Sequence, residues 1–528
     1  MAAVISLSFT ACRDDGRNAV FKYIISDNPK TLDPQQANEL NSNTIIENVY
    51  MGLMTVNADG TVGCGVAESY MVSDDGLQYF FNLRKDVFWT SVGGFTAQCT
   101  AKDFVYGFKR LFDPLVKAPR ASDYFCIKNA EAVYSNDLSP SSLGVKAEGD
   151  FQLLITLAYP NPRFLAMLAE PPAMPCNEDF FNTTHGKYGL SAECTASNGA
   201  FYVRGWSYDR YSSSDVNNVL LSRNSKNALY HDICPSGVNY FIEDKEKFIG
   251  EFTSGFSSCV SVSNDELSKI KGDDYTSMEF CNVTCGLVFN KSYELFRHEN
   301  FLRALAHLVN REEMETALSD FELAQGVVPK QVLASNGTFR EVVGASDIPE
   351  YNAELARELF AEEKPMLSTN LFTGARIIVN NEFAANAVSY ILQEWQREFG
   401  LYCVLELLND TQFNNRLQSG EYEVAVIELS GKYNSAAAYL EQFCSGNYAN
   451  YSGFVSMDFD NLMNEANEAA DPAECDMLFK RAEQMLIDKC AFIPLYYKNE
   501  YFLVSEDCSD IIYNPFSKTV NFINAKKK

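Results

Sequence analysis

The chain has 528 residues, of which 46% are hydrophobic and 21% charged, which is enough apolar material for more than one folded core. It carries 70 acidic and 43 basic residues, for a formal net charge of −27. A chain of this charge repels phosphate backbones, and its only basic run is Lys526-Lys527-Lys528 at the tail. We therefore expect no nucleic-acid partner.

The first residues are typical of an export signal. Met1 to Ala11 form a short apolar run that ends in Phe9-Thr10-Ala11-Cys12 and changes at once to polar residues. This tetrad resembles a bacterial lipobox, in which the cysteine becomes the acylated N-terminal residue. We expect Cys12 to carry lipid, residues 1–19 to be a signal remnant and tether, and the protein to be held at the outer face of the cytoplasmic membrane.

The cysteines leave two redox states open. There are 15, so an even number remains once Cys12 is set aside. An even number permits disulfides in an exported protein, whereas buried reduced thiols are the alternative. Cys281 and Cys285 are the closest pair, but no second pair completes a zinc-ribbon spacing, so we expect no metal site.

Local patterns predict a mixed α/β protein. Asp75-Gly76 precedes an alternating apolar run and predicts a tight hairpin turn. Thr100 and Asp103 have the spacing of a capping box and predict the start of an amphipathic helix.

The second half of the chain predicts a β-α-β unit. Residues 376–380 and 401–408 have the composition of buried strands, and a helical apolar pattern over 384–399 separates them. Such a unit is expected to be parallel and right-handed. Asp471-Pro472 predicts the start of a late helix, and residues 492–496 predict a returning strand. No low-complexity linker occurs, which favours lobes built from interleaved segments.

No catalytic motif is recognisable. His298-Glu299 begins like a zinc-protease helix, but Leu302 occupies the position of the second histidine. Neither a nucleophile elbow nor a phosphate-binding loop is present in the sequence. We therefore expect no catalytic residue, no cofactor and no enzymatic activity. The chain has only four histidines, which are His185, His231, His298 and His307.

Short phrases occur in a fixed order along nearly the whole chain. They are SDNPKTLDP at 26–34, YMGL at 50–53, AESY at 67–70, SDDGL at 73–77, LRKDVFW at 83–89, TAKDFV at 100–105, SNGAF at 197–201, GLVFN at 286–290, YNAELA at 351–356, LQSGEYE at 417–423 and IPLYY at 493–497. Their order and spacing together resemble the large solute-binding proteins of bacterial peptide, dipeptide and nickel ABC importers (solute-binding protein family 5).

This resemblance implies a bilobal α/β fold. It is the type II periplasmic-binding-protein fold, with an extra inserted domain and a ligand cleft between the lobes. We expect the first lobe to comprise residues 20–48, 190–284 and 490–528, with an inserted subdomain at 49–189. The second lobe is expected at 285–489.

The resemblance also implies two ligand-contacting segments. In peptide binders of the family, a loop of the second lobe carries an aspartate that pairs with the α-ammonium of the ligand, and Lys432 stands at that position here. Like charges repel, so we expect a carboxylate, a blocked amine or an internal peptide segment there instead. A shift of a few residues in the alignment would put Glu428 at the position. The candidate contacts are Asn38, Leu40, Asn41, Ser430, Gly431, Lys432, Tyr433 and Asn434.

The function implied is capture of oligopeptides or related peptide-like solutes by closure of the lobes. The captured ligand would pass to the membrane permease of an ABC importer with its ATPases, and we expect the binding protein to be a monomer. Two alternatives share the fold: a subunit that binds nickel or a metal complex, and a lipid-anchored peptide receptor or sensor.

Overall fold

The structure, a computed structural model, describes residues 18–57, 61–161, 163–211, 217–227, 232–317, 321–367, 373–469 and 471–528. Cys12 and most of the predicted signal segment lie outside these residues. Within them, no helix is both long enough and apolar enough to cross a membrane.

Two long strands connect the two halves of the molecule. Tyr275–Phe289 and Ile493–Ser505 pair antiparallel, from Tyr275 opposite Ser505 to Leu287 opposite Ile493. Phe502 packs in the core that contains the N-terminal strand, whereas Leu287 packs in a second core. The strands therefore run from one lobe to the other, which confirms the predicted bilobal α/β fold.

These strands form the centre of the largest sheet. Its strand order is Cys259–Ser263, Ile493–Ser505, Tyr275–Phe289, Val424–Ser430, Thr373–Val379 and Tyr402–Leu407, with Glu322–Leu323 paired to Ile493–Ser505. A separate four-stranded sheet has the order Val20–Ile25, Gly237–Ile242, Asn218–Arg223 and Phe201–Ser207.

The region between residues 54 and 197 has sheets of its own. The predicted hairpin is confirmed, because Ala67–Val72 pairs antiparallel with Gln78–Leu83 and Gly76 has φ +68° in the turn. The remaining strands of that sheet are Gln152–Thr156 and Val145–Gly149. A second sheet has the order Ala196–Ser197, Phe88–Ser91 and Thr96–Gln98.

The two predicted helix starts and the β-α-β unit are confirmed. The backbone N–H of Thr100 donates to Asp103 Oδ2 at 2.7 Å at the start of Ala101–Leu111. Asp471 Oδ1 accepts from the N–H of Ala473 at the start of Pro472–Asp488. Strands Thr373–Val379 and Tyr402–Leu407 are parallel, and helix Glu382–Phe399 connects them.

The other elements of the described residues are helices and two-stranded ribbons. The other α-helices are Leu40–Val49, Ala130–Tyr134, Phe164–Met167, Glu178–Thr183, Phe248–Thr253, Asn264–Leu267, Glu299–Ala306, Arg311–Ala317, Phe339–Val343, Ala353–Glu363, Asp410–Ser419, Ala437–Leu440 and Met457–Glu468. The two-stranded ribbons pair Met54–Val56 with Val62–Cys64, Leu333–Ala334 with Gly337–Thr338, Cys508–Ser509 with Lys526–Lys527, and Ile512–Asn514 with Thr519–Asn521.

Of the two alternatives, disulfides and reduced thiols, the structure has reduced thiols. The fourteen from Cys64 to Cys508 are free thiols, and most of them are buried. Burial raises the pKa of the Cys176 thiol to about 12, so this thiol is protonated at neutral pH.

A buried ion pair anchors the segment 26–34 near the start of the chain. Arg110 Nη1 donates to Asp33 Oδ1 at 3.0 Å, and the two side chains are only 7% and 6% exposed. The same guanidinium donates to Gln35 Oε1 at 2.6 Å. This network ties the segment before helix Leu40–Val49 to helix Ala101–Leu111.

Candidate functional site

A large cavity of about 1450 Å³ lies between the two lobes. One wall includes helix Leu40–Val49, here called the cleft helix. The opposite wall includes residues 432–434, which belong to the segment 431–434, here called the cleft loop. The long strand Tyr275–Phe289 contributes Phe280 and Asn282 between them. The volume exceeds that of most small-molecule pockets, so an extended ligand fits.

The cleft helix presents one face to the cavity. Leu40, Asn43 and Glu47 line the cavity and are spaced three and four residues apart, as one helical face requires. Ile45 and Ile46 are fully buried on the other side. The carboxylate of Glu39 accepts from the N–H groups of the first turn and holds the helix start at the cleft.

Two of the three candidate residues in the first lobe line the cavity. Asn38 and the 45% exposed Leu40 face the cavity. Asn41 does not belong to the lining, because its side chain is buried and its Nδ2 donates to the carbonyl oxygen of Asp27 at 3.2 Å. Its place is explained by the helix: one residue past Leu40 is about 100° around the axis.

The cleft loop follows strand Val424–Ser430, and three of its residues line the cavity. Lys432 Nζ donates to the hydroxyl of Tyr448 at 2.9 Å. The Tyr433 hydroxyl donates to Glu441 Oε2 at 2.8 Å. Asn434 Oδ1 accepts from the N–H of Leu333 at 2.8 Å and anchors the loop.

Ser430 and Gly431 do not belong to the cavity lining. Ser430 pairs with Val283 in the sheet, and its carbonyl accepts from Gln442 Nε2 at 3.0 Å. A Cβ at Gly431 would lie 2.6 Å from the Tyr439 ring, so the absence of a side chain there allows the close packing. Both residues position the loop, and whether any of the eight candidates contacts a ligand stays a prediction.

Glu428, the alternative to Lys432, is exposed and lies outside the lining of the cavity. Its Oε1 accepts from Lys498 Nζ at 2.8 Å, so its charge is already paired. The unshifted alignment therefore agrees better with the geometry.

Arg163 supplies a second cation to the cleft. The guanidinium carbon of Arg163 lies 3.0 Å from the centroid of the Tyr433 ring. Burial raises the pKa of Glu441, which accepts from that tyrosine, and the positive charge of Arg163 partly opposes the shift. Nothing in the sequence around Arg163 singles it out, since its position depends on how the region between residues 54 and 197 packs on the cleft.

Glu47 is a half-buried carboxylate in the wall of the cleft. Burial raises its pKa to about 7, while a hydrogen bond of 2.6 Å from the Thr519 hydroxyl opposes the shift. Glu170 raises the pKa further, and Arg120 lowers it. The sequence could have indicated Glu47, because it lies two helical turns after the candidate Leu40 on the same face.

In the ranges that the structure describes, no group of three or more His, Cys, Asp or Glu side chains is arranged to hold a metal ion.

Comparison with known proteins agrees with this architecture. Residues 61–451 match the family model described as bacterial extracellular solute-binding proteins, family 5. The oligopeptide-binding protein OppA of Bacillus subtilis is 24% identical, with 95% of this chain and 91% of the relative covered. The probable deoxycholate-binding periplasmic protein YgiS of Escherichia coli is 26% identical, with 91% and 88% covered.

A solved structure has the same fold. The substrate-binding domain of an oligopeptide ABC transporter from Bacillus anthracis superposes with a TM-score of 0.75 at 22% identity, with 97% of this chain and 100% of that one covered. A two-lobed fold around a cleft is the architecture expected of a solute-binding protein. This chain belongs to family 5 of the bacterial extracellular solute-binding proteins.

Proposed function

We propose that the protein captures oligopeptides in the cleft and delivers them to the permease of an ABC importer. The observation that carries this proposal is the cavity of about 1450 Å³ lined from both lobes. It is supported by similarity over 91% of the length of a relative named as an oligopeptide-binding protein.

Lobe closure is the physical basis of capture. A ligand that touches both the cleft helix and the cleft loop binds the closed form more tightly than the open form, so it shifts the population toward closure. The permease then distinguishes loaded from empty protein by its shape. The two long strands that join the lobes are the elements about which such a hinge motion would occur.

The cleft also offers hydrogen-bond acceptors suited to peptide N–H groups. The side-chain oxygens of Asn43 and Asn282 are buried and accept no hydrogen bond from the described residues. Both residues line the cavity. Acceptors of this kind bind a backbone without regard to its side chains, while a roomy cavity tolerates varied sequences.

The lobe boundaries and the membrane anchor form part of the proposal. We assign residues 20–48, 190–284 and 490–528 to the first lobe, 49–189 to the inserted subdomain and 285–489 to the second lobe.

Cys12 would hold the protein at the outer face of the cytoplasmic membrane by its lipid. Changing Cys12 to Ser should release the protein from membranes and abolish fatty-acid labelling. Continued labelling would exclude Cys12 as the anchor.

The capture proposal is tested by identifying what the protein retains. The protein is purified gently and then denatured to release its ligand. Mass spectrometry of the released material should identify peptides of unchanged covalent structure. Adding back a released peptide should reduce the radius of gyration in solution scattering. A retained metal complex would favour the nickel-type alternative. An unchanged radius at saturation would contradict closure, and recovery of cleaved peptide would contradict binding without chemistry.

A further inference from the structure

The acidic side chains of the cleft are not equivalent. Among the described residues the cavity is lined by three of them, Glu47, Asp123 and Glu170. Arg120 Nε donates to Asp123 at 2.8 Å, and Arg120 Nη2 donates to Glu170. Glu47 has no such partner: its carboxylate accepts from the Thr519 hydroxyl, and no Lys or Arg nitrogen of the described residues lies within 4.0 Å. It is the one lining carboxylate in this part of the chain without a cation.

The cations of the cleft divide in the same way. Arg84 and Arg120 pair with neighbouring carboxylates. Arg163 and Lys432 have no carboxylate of the described residues within 4.0 Å, and both belong to the end of the cleft at Tyr433. An ammonium has three donors, and Lys432 uses one of them on Tyr448.

Glu441 is an acid close to this end of the cleft. Its carboxylate accepts from the Tyr433 hydroxyl and is influenced by the charges of both Arg163 and Lys432. One carboxylate cannot neutralise two cations, so a positive charge remains for the ligand. Because closure removes water from unpaired charges, each requires an opposite charge from the ligand.

We propose that the cleft binds peptides with the C-terminal carboxylate at Lys432 and Arg163 and the N-terminal ammonium at Glu47. This inference rests on the proposed peptide-binding function and specifies the polarity of the bound chain. An ammonium next to Glu47 offsets the burial that raises its pKa to about 7 and so restores the ionised carboxylate. A peptide in the opposite direction would bring its ammonium toward Lys432, where like charges repel.

The test crosses end-blocked peptides with single substitutions. The probes are alanine peptides from dipeptide to pentapeptide, each free, N-acetylated or C-amidated. Each is titrated by calorimetry into the full chain, Glu47→Gln and Lys432→Met. Matched controls are Lys146→Met and Glu148→Gln, since both residues are exposed on strand Val145–Gly149 and lie outside the cavity lining. Circular dichroism checks that every variant is folded.

In the natural chain and the controls, either block should weaken binding of the tightest peptide about tenfold or more. Glu47→Gln should remove most of the acetylation effect and keep the amidation effect. Lys432→Met should remove most of the amidation effect and keep the acetylation effect.

Two results would overturn the polarity. One is an amidation effect that is undiminished in Lys432→Met, and the other is an acetylation effect that is undiminished in Glu47→Gln. If no unblocked peptide binds the natural chain, the proposed function fails together with the inference. If peptides bind but the two effects do not follow the two residues, only the inference fails.

Discussion

The interior of the second lobe and the wall of the cleft treat charge in opposite ways. Arg340 and Glu483 are 5% and 0% exposed, and Arg340 Nη1 donates to Glu483 Oε2 at 2.8 Å. Ser346 and the N–H of Val328 donate to the same carboxylate at 2.6 and 2.7 Å. This interior carboxylate is saturated with donors, whereas Glu47 and Lys432 in the cleft keep unused hydrogen-bonding capacity.

Buried paired charges and partly satisfied cleft charges have different roles. A saturated buried pair contributes nothing to recognition, and losing one partner destabilises the fold because the other is left uncompensated. A partly satisfied charge in a cleft costs the empty protein some stability and is compensated when a ligand of the opposite charge arrives. Substitutions in the two regions should therefore separate stability from binding.

Arg340→Met should have the largest effect on stability. It leaves Glu483 buried without its cation, and we expect the free energy of unfolding to fall by about 3–5 kcal/mol. Urea unfolding followed by fluorescence measures the change. The double variant Arg340→Met/Glu483→Leu should recover most of the loss. A single variant as stable as the natural chain would show that the pair is not a structural requirement.

Glu47→Gln should have an intermediate effect that depends on pH. The folded pKa of about 7 lies above the ordinary value of 4.5, so ionisation opposes folding as pH rises through this window. Relative to the natural chain, the variant should gain about 2 kcal/mol more in unfolding free energy at pH 8 than at pH 5, as an upper value because the side chain is only half-buried. Glu148→Gln is the exposed control. An equal effect at both pH values would contradict the raised pKa.

Lys432→Asp should have the smallest effect on stability. The side chain is exposed, so the unfolding free energy should change by about 0.5 kcal/mol or less. Binding should change strongly: affinity for peptides with a free carboxylate should fall, and tolerance of a C-terminal amide should rise. Calorimetry at two salt concentrations measures both, and the effect should weaken at high salt. Unchanged binding would mean that Lys432 does not face the ligand.

Several local structures could be predicted because their causes lie within a few residues. The Asp75-Gly76 turn needs a positive φ at the glycine, and the helix starts at Thr100 and Asp471 need side-chain acceptors at fixed spacing. The β-α-β unit followed from apolar periodicity alone. For the turn and the two helix starts, the stabilising interaction lies within a few residues, so the order of residues is sufficient.

The candidate site was predicted less completely. Asn38, Leu40, Lys432, Tyr433 and Asn434 line the cavity, whereas Asn41, Ser430 and Gly431 support its walls. Both segments contribute residues to the cavity wall, but which side chain of each segment faces the cavity depends on helix rotation and sheet pairing. Those are set by packing between elements distant in the chain.

The amino-acid sequence by itself determined the family and the mixed α/β class. Only the tertiary structure decided which charges remain unpaired. Arg120 pairs both with Asp123 and with Glu170, which lies 50 residues further along the chain, whereas among the described residues Glu47, Arg163 and Lys432 have no ion-pair partner. Charge pairing depends on distances of a few ångströms between remote residues, and a linear pattern carries no such distance.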